Sequence, residues 1–348
     1  MSSDKPRVLI VDDSAFMRRM IAQIVEESGE FEVAGTARNG HDGLRQIETL
    51  DPDIVTLDVD MPELDGLGAL ESIMRHSPRP VVMLSAGTTR GGQAATLRAL
   101  ELGAVDFVLK PSGAISLDVT RVAARLIDAL RAAASANLAP LRPTPIHVAG
   151  TEPRDALALS PATNVVAIAA STGGPRALSA VLTKLPRSLP AAVLVVQHMP
   201  AGFTTSLAAR LDRASRLHVV EAAAGEALAP GKAVLGPGGL HLRLDAERRV
   251  VLSDAEPIGG LRPRADLGIE DAARLFGRRL LLVVLTGMGN DGVRGAEAVR
   301  AHGGRVLVQE ESTCIVYGMP RAVAEAGLAD GVHGLDDLPA AIVREVGT

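Results

Sequence analysis

The chain is short of aromatics, has one cysteine, contains no long apolar run and carries no strong charge of either sign. Each shortage excludes something. Aromatic residues make up 2% of the 348, too few for the stacking platforms that hold single-stranded nucleic acid. A lone cysteine, Cys314, rules out an internal disulfide framework and fits a reducing, cytoplasmic setting. A formal net charge of -5 argues against a nucleic-acid partner. No apolar run reaches the roughly 18 residues of a membrane span. The opening MSSDKPRVLIVDDS is broken by two aspartates and does not read as a signal peptide. These absences predict a cytoplasmic protein with no direct membrane insertion and no nucleic-acid partner.

Hydrophobic residues, by contrast, make up 47% of the chain, ample for two cores. The length suggests about two domains at roughly 150 residues each. In the first part RVLIVDD, FEVAGTA, DIVTLDVD, PVVMLSA and DFVLKP read as buried strands. Amphipathic stretches such as SAFMRRMIAQIVEES lie between them, and this alternation predicts a parallel sheet with helices on both faces. Residues 135–163 are rich in proline and lose all apolar period, which reads as a linker. From Asn164 the alternation resumes with NVVAIAA, AAVLVVQ, KAVLGP, RLLLVVLTG and GRVLVQE, and HLRLDAERRVVLSD reads as an antiparallel hairpin insertion. The expected class is α/β, with two doubly wound parallel-sheet domains. Their expected bounds are 5–125 and 164–345, with 126–163 as a helix end and proline-rich linker.

Ligands of open parallel sheets gather at the carboxyl ends of the strands. Asp12, Asp13, Asp58, Ser85 and Lys110 fall at such ends in the first domain. A single strand-end aspartate often only caps the next helix. Three carboxylates beside one ammonium and one hydroxyl instead describe a pocket for Mg²⁺ and a phosphoryl group carried on Asp58.

The second domain poses a different question at AIAASTGGP, where a buried strand stops at Ser171. Ser171 or Thr172 as a helix cap is one reading. A Walker-type phosphate loop is disfavoured, because Gly174 is followed by Pro175 and Arg176 rather than Lys-Ser/Thr. A nucleophile elbow, Gly-x-Ser-x-Gly, fits in part, with Ala169 upstream and Gly173 downstream. Such a serine needs a base and an acid to orient it. Of eight histidines, His198 alone ends a buried strand beside the expected exit of Ser171. Asp291, in the loop LTGMGNDG, is either the orienting acid or the N-cap of the helix GVRGAEAVRAH. The order Ser, His, Asp differs from the Ser, Asp, His of α/β-hydrolases, which is tolerable because triads are defined by roles.

Two families are resembled. VDDS, DVDMPELDG and VLKPSG resemble the response-regulator receiver domain, a flavodoxin-like fold. AASTGGP, VVQHMP, LTGMGNDG and STCIVYGMPRA resemble the Rossmann-like catalytic domain of chemotaxis-specific protein-glutamate methylesterases. The resemblance implies phosphorylation of Asp58 by a histidine kinase, with Mg²⁺ on Asp12, Asp13, Asp58 and the Asp60 backbone carbonyl. It implies Ser85 and Lys110 as switch hydroxyl and lysine, with Phe107 either an aromatic switch or plain core. It places the triad on Ser171, His198 and Asp291 and oxyanion-site neighbours on Thr172 and Met288, with no cofactor for ester hydrolysis. The implied substrate is a glutamate methyl ester, or a glutamine, on chemoreceptor cytoplasmic domains, with the unphosphorylated receiver inhibiting. Departures are Ala169 for a common glycine, DVDMP for DVEMP, and Arg264 where a serine is common, which bears on substrate choice. A receiver-controlled, non-catalytic receptor-binding module is the alternative; a DNA-binding output would need a helix-turn-helix that the strand-rich second half does not offer.

Overall fold

The structure, a computed structural model, describes residues 5–87, 90–111, 116–141 and 161–347. The chain divides into two compact units, Met1–Thr144 and Pro145–Thr348. Most of the expected linker lies outside the described residues. Among the described residues no helix is long and apolar enough to cross a membrane.

The first unit alternates strands β1 (Arg7–Val11), β2 (Glu32–Ala37), β3 (Ile54–Asp58), β4 (Val81–Ser85) and β5 (Asp106–Leu109) with helices. Those helices are α1 (Ala15–Ser28), α2 (Gly40–Leu50), α3 (Gly66–His76), α4 (Arg90–Leu102) and α5 (Ser116–Ala134). The sheet order is β2-β1-β3-β4-β5, all parallel. β3 and β4 are buried at every position, as strands covered on both faces must be. The chain order reverses between β1 and β3, and that switch point is where a crevice opens.

The second unit has a seven-stranded parallel sheet in the order β14-β13-β12-β6-β7-β9-β8. Its central strands are β6 (Asn164–Ala170), β7 (Ala191–Gln197), β9 (Lys232–Leu235), β12 (Leu280–Val284) and β13 (Arg305–Gln309). The outer strands, β8 (His218–Glu221) and β14 (Gly331–His333), were not anticipated from the sequence. They are short and only half-buried, so they lack the apolar run that marks the others. The predicted hairpin is present as β10 (His241–Leu244) and β11 (Val250–Ser253). Helices α6 (Gly174–Leu182), α7 (Phe203–Ala214), α8 (Ala265–Phe276), α9 (Val293–Ala301), α10 (Met319–Glu325) and α11 (Leu338–Val346) complete the unit. The chain passes from β6 to β7 on one side and returns to β12 on the other. β6 and β12 are therefore the strands between which this sheet switches direction.

Candidate functional site

In the first unit the β1, β3 and β5 ends meet. Ligand oxygens of Asp12, Asp13 and Asp58 lie within 4.8 Å of one another. Lys110 Nζ is 2.6 Å from Asp58 Oδ2 and 2.8 Å from Asp12 Oδ2. Burial pushes Asp58 up to about 6, with Lys110 offsetting part of that effect. Neither Asp12 nor Asp13 caps α1: that role belongs to Ser14, whose side chain accepts the Met17 N–H. Asp12 Oδ1 instead accepts the Ser14 N–H at 2.9 Å. Asp58 Oδ1 takes the Asp60 N–H. Gly66 must be glycine, since an added Cβ would fall 2.0 Å from the Asp58 carbonyl oxygen. The Ser85 hydroxyl is engaged by Thr96 Oγ1 at 2.8 Å and Gly87 N at 3.2 Å. Phe107 is buried in the core.

In the second unit the last paired rung of β6 and β7 is Ala170 with Gln197, so Ser171 and His198 leave adjacent strands side by side. The junction is tied by backbone and side chain together. His198 N–H donates to Ala170 O at 3.0 Å. The buried Gln197 amide donates to Ser171 O at 2.9 Å and His198 O at 3.0 Å. Gly174 has to be bare beside it, because a Cβ there would meet Gln197 Oε1 at 1.9 Å. Neither Ser171 nor Thr172 caps α6. The N-cap is Gly173, at φ +78°, with no side-chain cap bond. Among the described residues nothing hydrogen-bonds Ser171 Oγ, so that hydroxyl is left for chemistry.

The third strand end supplies the acid. His198 Nε2 lies 2.7 Å from Asp291 Oδ2. The other ring nitrogen, Nδ1, is buried with no hydrogen-bond partner among the described residues. With Nε2–H donating to the carboxylate, Nδ1 carries the free lone pair. Asp291 does not cap α9 as its sequence position suggested; Gly292 holds that place at φ +102°. Its carboxylate reaches across to the N-terminus of α8 instead, taking Ala265 N–H at 2.7 Å and Asp266 N–H at 3.0 Å. Burial works to raise the Asp291 carboxyl, yet His198 and the two backbone donors hold it at about 2. An ionised acid is what an imidazolium needs beside it.

The β12 loop presses against the serine. Gly287 has no room for a side chain: a Cβ would be 2.6 Å from both Ser171 Cβ and Met319 Sδ. Thr286 knots three loops, its hydroxyl lying 3.0 Å from Thr172 O and 3.1 Å from Val316 O. Its N–H goes to Gln309 Oε1 at 2.8 Å. Met288 follows directly, and its N–H has no partner among the described residues. Ala169, in place of glycine, is fully buried, and even a Cβ added to Gly292 would stand 3.9 Å from its own Cβ, so it is not crowded on that side.

The family model of the CheB methylesterase matches residues 166–342. A protein-glutamate methylesterase/protein-glutamine glutaminase of Symbiobacterium thermophilum is 46% identical over 98% of this chain and 97% of its own. The chain belongs to the CheB methylesterase family. Residues 8–120 match the response regulator receiver domain. A Geobacillus kaustophilus protein of the same name is 45% identical over 98% of this chain and 99% of its own. The crystal structure of the Thermotoga maritima CheB methylesterase catalytic domain superposes with a TM-score of 0.51 at 42% identity, covering 52% of this chain and 97% of that one. The α/β class and the two parallel-sheet domains expected from the sequence agree with this membership.

Sequence reasoning passed over Gln197, Thr286, Gln309 and Asp266. Each is a buried polar residue beside a glycine-rich loop. Polar residues that interrupt or end an apolar strand run are the signal that would have found Gln197, Thr286 and Gln309. Asp266 had no such mark, since its place beside Asp291 arises only when α8 and α9 meet.

Proposed function

We propose that this chain is a phosphorylation-controlled serine hydrolase. Its substrates are glutamate methyl esters on the cytoplasmic domains of chemoreceptors, and it also hydrolyses receptor glutamine amides. The observation that carries the reading is the His198 ring: Nε2 is bound to Asp291 at 2.7 Å, Nδ1 is buried without a hydrogen-bond partner among the described residues, and His198 leaves the strand next to the one that ends at Ser171. His198 Nδ1 takes the proton as Ser171 Oγ attacks the ester carbonyl, and Asp291 stabilises the imidazolium that forms. Backbone N–H groups at Thr172 and Met288 face the developing oxyanion, where loss of one donor in other hydrolases costs on the order of 3 kcal/mol. His198 returns the proton to the departing methanol, leaving a glutamyl ester on Ser171. Water, deprotonated at Nδ1, then releases the glutamate carboxylate. With a glutamine the same steps release ammonia.

The receiver half supplies control. A histidine kinase phosphorylates Asp58, and this relieves inhibition of the hydrolase by the unphosphorylated receiver. The hard oxygen donors within 4.8 Å of one another fit Mg²⁺. Asp12, Asp13, Asp58 and the Asp60 carbonyl would hold the ion. When bound it offsets the negative charge of the incoming phosphoryl group. Lys110, already on Asp58 Oδ2, pairs with that group, Ser85 donates to one of its oxygens, and Phe107 follows the change in the Ser85 loop. The work takes place in the cytoplasm, where kinase and receptor domains are both reached.

Methanol release from methylated receptor membranes tests both halves. Release should vanish in Ser171→Ala. It should rise with acetyl phosphate and Mg²⁺ in wild type and fail to rise in Asp58→Asn. No release from wild type under any of these conditions would leave a non-catalytic receptor-binding module as the reading.

A further inference from the structure

We infer that Arg264 is a positioning residue for the triad: it holds two buried carboxylates, Asp266 and Asp291, side by side and so fixes the face that Asp291 turns to His198. The inference rests on the hydrolase reading above and goes beyond it.

The N-termini of α8 and α9 are capped crosswise. Neither helix has a side-chain cap of its own. Asp291, just before α9, accepts the first N–H groups of α8. Asp266, in the first turn of α8, accepts Gly292 N–H at 2.8 Å and Gly295 N–H at 2.9 Å. Both carboxylates are 1% exposed. Like charges this close and this buried do not both stay ionised without a countercharge.

Arg264 is that countercharge. Its Nη2 and Nε lie 2.8 and 3.1 Å from Asp266 Oδ2, and Nε lies 3.4 Å from Asp291 Oδ1. Among the described residues no other arginine or lysine pairs with either carboxylate. The side chain turns inward and is 14% exposed. Its backbone is fixed too, since Arg264 N–H donates to His241 Nδ1 at 3.2 Å. The other charged or titratable groups facing the cluster are His198 from the loop after β7, His241 from β10, and Glu270 of α8. Glu270 is itself paired with Arg294 of α9 at 2.9 Å. A planar guanidinium spans two carboxylates; a compact ammonium serves one.

Without Arg264 the pair takes up a proton at higher pH, and the Asp291 carboxylate, still tied to two backbone N–H groups, loses the charge that keeps it ionised toward His198. The decisive experiment compares kcat, KM and their pH profiles for wild type, Arg264→Ser, Arg264→Lys and Arg264→Ser with Asp266→Asn, using methanol release from methylated receptor membranes. In Arg264→Ser, kcat should drop about tenfold or more at unchanged KM, because a carboxylate that shares its charge with a proton stabilises the imidazolium less, a loss of about 1.4 kcal/mol. The acid limb of kcat should move to higher pH. Arg264→Lys should show the same change at smaller size, and it carries the test if the serine variant does not fold. Adding Asp266→Asn should restore most of the rate, because the asparagine oxygen still accepts from Gly292 and Gly295 while the second negative charge is gone. The inference is overturned if Arg264→Ser keeps the wild-type kcat and profile. It is equally overturned if the loss appears in KM alone, which would mark a substrate contact, or if Asp266→Asn restores nothing. Ser171→Ala in the same assay reports separately on the hydrolase reading.

Discussion

Asp291→Asn puts the mechanism under the sharpest strain, because the two groups have one shape and opposite hydrogen-bonding needs. Four donors converge on the Asp291 carboxylate, with the Asp266 carboxylate at its side. Oδ2 takes His198 Nε2–H and Ala265 N–H, each at 2.7 Å. Oδ1 takes Asp266 N–H at 3.0 Å and faces Arg264 Nε at 3.4 Å. An asparagine has one acceptor oxygen, so its NH₂ must face donors in either orientation. With its oxygen toward His198, the NH₂ opposes Asp266 N–H and the guanidinium. Turned round, it opposes Ala265 N–H and forces a proton onto His198 Nδ1, which removes the base. One or more buried donors are left unsatisfied in either case, at about 1–3 kcal/mol. That corresponds to a Tm lower by roughly 2–12 °C for a domain of this size. The rate should suffer far more, with kcat down on the order of 10⁴-fold through the lost charge and wrong tautomer. The wild-type acid also has a linkage signature. Its carboxyl sits at about 2 against a usual 3.8, so it adds about 2 kcal/mol of stability that is complete above pH 3.8 and disappears as pH falls through 2. Wild type and variant should therefore converge in stability toward pH 2. Methanol release and thermal melts from pH 7 to 2.5 measure both effects. A variant with lowered Tm and a kcat within tenfold of wild type would refute the reasoning and leave Asp291 as a helix cap alone.

Gly287→Ala places a methyl 2.6 Å from Ser171 Cβ and should cost about 100-fold in kcat, the usual penalty for a displacement near 1 Å; a kcat near the wild-type value would show that the serine loop gives way freely. Gln197→Met removes the amide that donates to the Ser171 and His198 carbonyls; Ser171 O keeps the Gly174 N–H, so the His198 carbonyl is the acceptor left without a donor, and stability should fall by about 1–3 kcal/mol, read from urea melts. Burial pushes the Cys314 thiol up to about 12, so iodoacetamide at pH 8 should leave it unmodified in the native protein and label it after unfolding in urea. Labelling of native protein at the rate of a free thiol would contradict that burial.

Much of this fold was legible because strands buried on both faces must be apolar throughout. RVLIVDD and NVVAIAA announce themselves, and so do the polar residues that stop them. β8 and β14 stayed hidden because a strand at a sheet edge is covered on fewer sides and needs no such run. The residues proposed to carry the chemistry were visible for a related reason: Ser171, His198 and Asp58 stand where an apolar run ends, and only a few jobs exist at such a position. Their supports were not visible. Arg264 reads from the sequence as a residue facing substrate, since nothing near it in the chain predicts two buried aspartates. Only the meeting of α8 and α9, whose capping groups are 25 residues apart or more, turns the side chain inward.

That crosswise capping also dissolves the choice the sequence posed for Asp291, cap or catalytic acid. A carboxylate that served only the imidazole would be held by one hydrogen bond and the charge it faces. Tied as well to the first two N–H groups of α8, it is anchored to a rigid element and sits at the positive end of that helix's dipole. Both effects favour the ionised form and a fixed direction, which are the two properties the imidazolium requires. On the proposed mechanism, stability and catalysis therefore act through the same bonds. A substitution that spares the His198 contact but loosens the α8 terminus should lower kcat as well as Tm, in contrast to a site built on a free loop.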